Sequence, residues 1–173
     1  MADTFHNDLL PSSNADNPGR EAGLSHDDHL AIRLWLRLMN CSTQIEQVIR
    51  SQLRTQFGTT LPRFDYLAQL SRFPKGLRMK TLSEYLMVTG GNVTGLTDQL
   101  VAEGWVERVA DDEDRRSMTV RLTPAGKKQF KAMAAAHEQW LENLLAPLGN
   151  DNARALYDQL GQLRQVLSQP DSE

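Results

Sequence analysis

Residues 82–123, LSEYLMVTGGNVTGLTDQLVAEGWVERVADDEDRRSMTVRLT, decide the fold. Leu82, Leu86, Val93, Leu96 and Leu100 recur at helical spacing on either side of a short break at Val88 to Gly91, which is a helix-turn-helix pattern. Glycine closes the second helix at Glu103-Gly104. Trp105 to Val109 and Met118 to Leu122 then alternate apolar with polar residues, predicting a hairpin with Asp111 to Ser117 at its tip. Helix, turn, helix and hairpin in that order make a winged helix, whose second helix enters the DNA major groove while the wing reaches the backbone or minor groove. The expected fold is therefore mostly α with a small β-wing.

Val93, Leu96 and Leu100 turn the second helix inward and leave Gly90, Gly91, Asn92, Thr94, Gly95, Asp98 and Gln99 outside as candidate groove residues. Asn and Gln can each make two hydrogen bonds to adenine, and threonine suits a thymine methyl or a phosphate. Two glycines in a first turn cost about 1 kcal/mol each against alanine, and in exchange the backbone can approach a phosphate at the positive helix end. A merely flexible turn is the plainer reading of the same glycines. Arg63, Arg72, Lys75 and Arg78 add positive charge nearby, although most surface arginines are simply solvated. The wing tip, Asp111-Asp112-Glu113-Asp114-Arg115-Arg116, carries four acids that repel DNA unless arginines engage them.

The 173 residues suffice for one domain with a full core, or a small domain plus a dimerisation layer. A net charge of -3 rules out a chain coated in positive charge for non-specific nucleic-acid binding, so any DNA contact needs a local basic patch. The lone Cys41 excludes an intramolecular disulfide and a four-cysteine zinc site, and fits a reducing compartment. No apolar run approaches the roughly twenty residues of a membrane span, and the first ten residues lack the features of a secretory signal. These features predict a soluble, cytoplasmic protein without a cofactor. Nucleophile elbow, phosphate loop and metal cluster are all missing from the sequence, so an enzyme is not expected.

Residues 1–24 are too polar to order themselves and read as a disordered arm. From 25 to 58, Ser25 and two acids start a helix whose stripe of Leu34, Trp35, Leu38, Ile45, Val48, Ile49 and Leu53 runs to Phe57-Gly58. About thirty residues of helix span roughly 45 Å, more than a small core covers, so part of it should meet a second subunit. Thr60 caps a helix that ends at Phe73 to Gly76, and Leu77 to Met79 can add a third strand to the 60–123 winged domain. Over 124–169, Thr123-Pro124 opens a helix carrying Phe130, Met133, His137, Trp140 and Leu141 to a stop at Gly149. A last helix follows with Leu156, Leu160, Leu163 and Leu167 on one side. Sharper readings exist for His26 and His29 as metal ligands and for Cys41 as a redox sensor; helix capping and a small interface residue are the plainer ones.

Asp114-x-Arg116, then Leu122-Thr123-Pro124-Ala125-Gly126, preceded by LSEYLMVTGGNVTGLTDQLVAEGWVER, resembles the MarR family of bacterial transcription regulators over about Leu61 to Lys128. The resemblance implies a homodimer with interlocking N- and C-terminal helices and two winged lobes on a pseudo-palindromic double-stranded DNA operator. It also implies that Arg116 enters the minor groove or contacts the backbone while Asp114 holds it, with Arg115 beside them. Family members often carry a basic residue where Gly95 stands, so base reading here leans on Asn92, Thr94 and Gln99. LMVTGGNVTGL is similar to regulators of aromatic-acid catabolism, including those answering hydroxycinnamoyl-coenzyme A thioesters.

The function expected is a repressor released by a small aromatic acid or its coenzyme A thioester. Trp35, Met39, Phe64, Met133 and His137 are candidate pocket residues, each equally readable as core, and Arg72 is a candidate for a thioester's phosphates. The rivals are a redox- or metal-sensing regulator of the same fold, and a winged helix that binds only protein.

Overall fold

The computed structural model describes residues 29–87, 89–110 and 118–168. The 1–24 arm, Ser25, His26, and the wing-tip residues Asp114, Arg115 and Arg116 lie outside the described residues. The order is α1 (Leu30–Phe57), α2 (Leu61–Ser71), β1 (Leu77–Arg78), α3 (Met79–Leu86), α4 (Gly90–Ala102), β2 (Val106–Ala110), β3 (Met118–Leu122), α5 (Pro124–Leu145), a 3-10 turn (Ala146–Leu148) and α6 (Asn150–Leu167). Contacts divide the chain into two compact units, 1–46 and 47–173. This is the mostly helical architecture with a small wing that the sequence predicts.

In the first unit Leu36 is buried, while Leu34, Trp35 and Met39 are about half exposed. The second unit is organised on a three-stranded antiparallel sheet of order β1-β3-β2, with Leu77 opposite Val120 and Val106 opposite Leu122. Helix α2 packs on α3, α5 and β3, and α4 packs on α3 and β2. Leu67, Leu70, Leu82, Val93, Leu100, Val106, Val120 and Met133 form the dry centre. Among the described residues no helix is long and apolar enough to cross a membrane.

Helix ends follow local chemistry, with four departures from the sequence expectation. Helix α3 stops at Met87, in the left-handed region at φ 52, and the Val93 amide already donates to the Thr89 carbonyl. Gly90 and Gly91 therefore belong to α4 and not to the break. Thr60 sits at the cap position of α2 but makes no side-chain capping bond; its carbonyl accepts from the Arg63 and Phe64 amides instead. Met79 opens α3, leaving β1 two residues long. Helix α5 ends at Leu145 rather than Leu148, because Pro147 lacks the amide that another α-turn requires. As expected, Gly104 closes α4: at φ +74 its amide donates to Val101 and the Trp105 amide to Leu100, a Schellman pair. Thr123 caps α5 by accepting from the Gly126 amide at 3.0 Å.

One polar pair lies inside this core. Thr97 donates to the Val93 carbonyl at 2.7 Å, so the Tyr66 hydroxyl, 2.5 Å away, donates to Thr97. Burial pushes the Tyr66 hydroxyl up from 10.0 to about 12, against the lowering effect of its bond to Thr97. A raised folded value means that Tyr66 contributes stability in full below pH 10 and loses it as pH climbs through about 12. Tyr66→Phe is expected to cost about 1–2 kcal/mol at neutral pH. Relative to that variant, wild type should lose on the order of 3 kcal/mol across the alkaline window. Urea unfolding of both proteins at neutral and alkaline pH checks this; parallel pH profiles would refute it.

Candidate nucleic-acid interface

Helix α4 divides sharply into two faces. Val93, Thr97 and Leu100 have no solvent exposure, and Gly90, Gly91, Asn92, Thr94, Gly95, Asp98 and Gln99 are all exposed. A Cβ built on Gly90, Gly91 or Gly95 would meet nothing within 4 Å, so no packing in the chain demands glycine there. Each nonetheless weakens a helix by about 1 kcal/mol against alanine. Thr94 is exposed and donates its hydroxyl back to the Gly90 carbonyl at 3.0 Å. Each residue that the periodicity of this helix places outside is exposed, but periodicity did not predict the burial of Thr97. That residue's partner, Tyr66, lies 31 positions away, where no local pattern reaches.

Ion pairs brace the lobe. Arg63 of α2 pairs with Glu103 at the end of α4 and lies 5.3 Å over the Trp105 ring. With 15% of its side chain exposed, Arg63 is a structural tie between α2 and α4, not part of a positive surround for DNA. Arg121 pairs with Glu107 across the sheet at 2.8 Å. Arg108 of β2 reaches Asp98 of α4 at 2.5 Å.

The sequence-chosen effector residues fall in both units. Trp35 and Met39 belong to the first unit. In the second, the Phe64 ring lies tilted 4.9 Å from His137 and 5.7 Å from Phe130, and Trp140 lies 6.4 Å from His137. Phe64 and Met133 are buried, whereas His137 is half-buried. Arg72 is exposed at the C-cap of α2. A half-open depression of about 170 Å³ lies between α2, β3 and α5, lined by Leu70, Phe73, Leu122, Lys127 and Phe130, among others, and by none of the chosen six. Cys41 is exposed.

The family model described as MarR family matches residues 57–117. The "Transcriptional activatory protein BadR" of Rhodopseudomonas palustris is 33% identical over 107 residues, 61% of each chain. The HTH-type regulator YfiV of Bacillus subtilis is 32% identical over 56% of this chain and 61% of its own. The chain thus spans about three-fifths of the length of these curated relatives. Among solved structures, a MarR family transcriptional regulator from Silicibacter pomeroyi is 30% identical, with a TM-score of 0.70, over 84% of this chain and all of its own. Apo MarR from E. coli is 25% identical, with a TM-score of 0.66, over 73% of this chain and 93% of its own. The matched 57–117 segment contains the helix-turn-helix and the first wing strand, β2.

Proposed function

The chain belongs to the MarR family of transcription regulators, and from that premise we propose that it is a ligand-responsive repressor binding a pseudo-palindromic DNA operator as a homodimer. The two-faced α4 carries this reading: its inner face is sealed into the lobe, while its outer face holds small and amide-bearing residues with no packing role. Asn92, Thr94 and Gln99 are the base readers, and Gly90, Gly91 and Gly95 permit close approach. Arg115 and Arg116, supported by Asp114, take the wing to the minor groove or backbone. Residues 60–123 are the DNA-binding domain; 25–58 and 124–169 are dimerisation elements. No residue of α6 is buried although Leu156, Leu160 and Leu167 line one side, which suits a helix awaiting a second copy.

The effector class, an aromatic acid or its coenzyme A thioester, follows from the LMVTGGNVTGL phrase, with His137 beside Phe64 as its contact. Such a ligand releases DNA only by preferring another spacing of the two recognition helices, and about 1–3 kcal/mol of coupling changes affinity roughly 5- to 150-fold. Activation is the second reading, favoured by the name of the Rhodopseudomonas relative.

Fluorescence anisotropy of labelled DNA from upstream of the chain's own gene, across a salt series with and without these compounds, tests the proposal. Tight, site-selective binding that weakens steeply with salt and is relieved by one compound class is expected. Selective binding that no compound relieves would sink the effector assignment and turn attention to Cys41, His26 and His29. Binding that ignores sequence and salt would leave a protein-binding winged helix.

A further inference from the structure

The outer face of α4 has no cation. Its exposed residues Gly90, Gly91, Asn92, Thr94, Gly95, Asp98 and Gln99 include one charge, and that charge is negative. Gly91, Thr94, Gly95 and Asp98 follow one another at three- and four-residue steps, so they share a single stripe. A carboxylate on that stripe, presented to a polyanion, would be repelled unless compensated. Asp98 is compensated from a different element: the Arg108 guanidinium, carried on β2, reaches its Oδ1 at 2.5 Å. This pair lies on the groove stripe, whereas Arg63 with Glu103 ties α2 to the far end of α4 and Arg121 with Glu107 lies across the sheet.

The pair is not sealed. The Arg108 side chain keeps 34% of its surface exposed and Asp98 60%, so the pair is open to solvent. A guanidinium has five N–H donors, and holding one carboxylate oxygen leaves others available. Resting on the DNA-binding reading above, we propose that Arg108 is a phosphate-contacting residue of the operator complex and that Asp98 is its positioning residue. Asp98 draws Arg108 from the wing strand onto the α4 stripe, at the edge of the groove where a phosphate passes. The wing strand thereby supplies the positive charge that the recognition helix lacks.

Sign separates this role from a bystander's. A bystander carboxylate on a DNA-facing helix repels phosphate, so Asp98→Asn would tighten binding. A carboxylate that positions a cation on the stripe weakens binding when neutralised. The test uses the full chain and a labelled duplex that wild type selects from a random-sequence pool, with a scrambled duplex of the same composition alongside, titrated over a salt series. Arg108→Gln is expected to weaken binding to both duplexes about 5- to 10-fold at low salt and to shallow the log–log salt slope by about 0.9. Arg108→Lys should keep the slope. Asp98→Asn should weaken binding, and the Asp98→Asn/Arg108→Gln double variant should bind no worse than Arg108→Gln alone. An unchanged slope in Arg108→Gln, or tighter binding by Asp98→Asn, overturns the proposal while leaving DNA binding intact. If wild type selects no duplex, the DNA-binding reading falls and this proposal with it.

Discussion

Leu160→Glu is expected to leave the chain folded and monomeric, with operator affinity reduced at least 100-fold. Leu160 sits in the middle of the α6 stripe and is 40% exposed within the chain, so its own lobe does not depend on it. In a two-fold interface the substitution occurs twice, and burying an unpaired carboxylate costs several kcal/mol unless the helices separate. A monomer then has one recognition helix for one half-site and forfeits the roughly 10²- to 10⁴-fold advantage of engaging both together. Light scattering on a sizing column reads the mass, circular dichroism the helix content, and anisotropy the affinity. A variant that remains dimeric would show that α6 is not the interface and would return its exposed leucines to an unexplained surface.

The second large effect is on stability, and it centres on Gly126. A Cβ there would stand 1.9 Å from the Trp105 carbonyl oxygen, where ordinary contact begins near 3.4 Å. The neighbour is backbone and cannot turn aside. It is also held in place: the Trp105 carbonyl accepts from the Thr123 amide at 3.1 Å, and Thr123 donates its hydroxyl to the Gly104 carbonyl at 2.6 Å. Gly126→Ala must therefore push the first turn of α5 away from the end of α4, at a cost of about 3 kcal/mol, near the upper end for overpacking. Thermal unfolding should move down by roughly 6–12 °C for a chain of this size. Gly95→Ala is the matched control, because its Cβ meets nothing within 4 Å. It should stabilise the free protein by up to about 1 kcal/mol through helix propensity alone. Equal shifts in the two variants would show that the close approach at Gly126 is relieved by a small backbone adjustment.

Much of this architecture is legible without coordinates, because its signals are local. Apolar residues three and four apart locate α1, α3, α4 and α6, and strict alternation locates β2 and β3. Gly104 and the Thr123-Pro124 pair mark the ends that they terminate or open, since capping is settled within one helical turn. The exposed face of α4 was readable for the same reason: a helix that buries one side must present the other. Local rules also set the limits of that reading. Pro147 ends α5 three residues early, and Gly90 and Gly91, counted in the break as well as in the first turn of the second helix, are helical because Thr89 already accepts the first bond.

What the sequence by itself determined is the order of elements, the winged helix and the side of α4 that faces outward. Tertiary structure alone decided the roles of residues whose partners lie far along the chain. Arg63 looks like one more surface cation until Glu103, 40 positions on, and the Trp105 ring bind it within the lobe. Thr97 has no assigned place in the apolar periodicity of α4 until Tyr66 meets it in the core. Gly126 reads as part of a family phrase, and only the Trp105 carbonyl pressed against it gives the physical reason for a missing side chain. The leucine stripe of α6 has the same spacing whether or not the chain covers it; only the folded chain shows that no residue of α6 is buried. Periodicity reports which residues share a face, whereas burial and pairing depend on what the folded chain brings against that face.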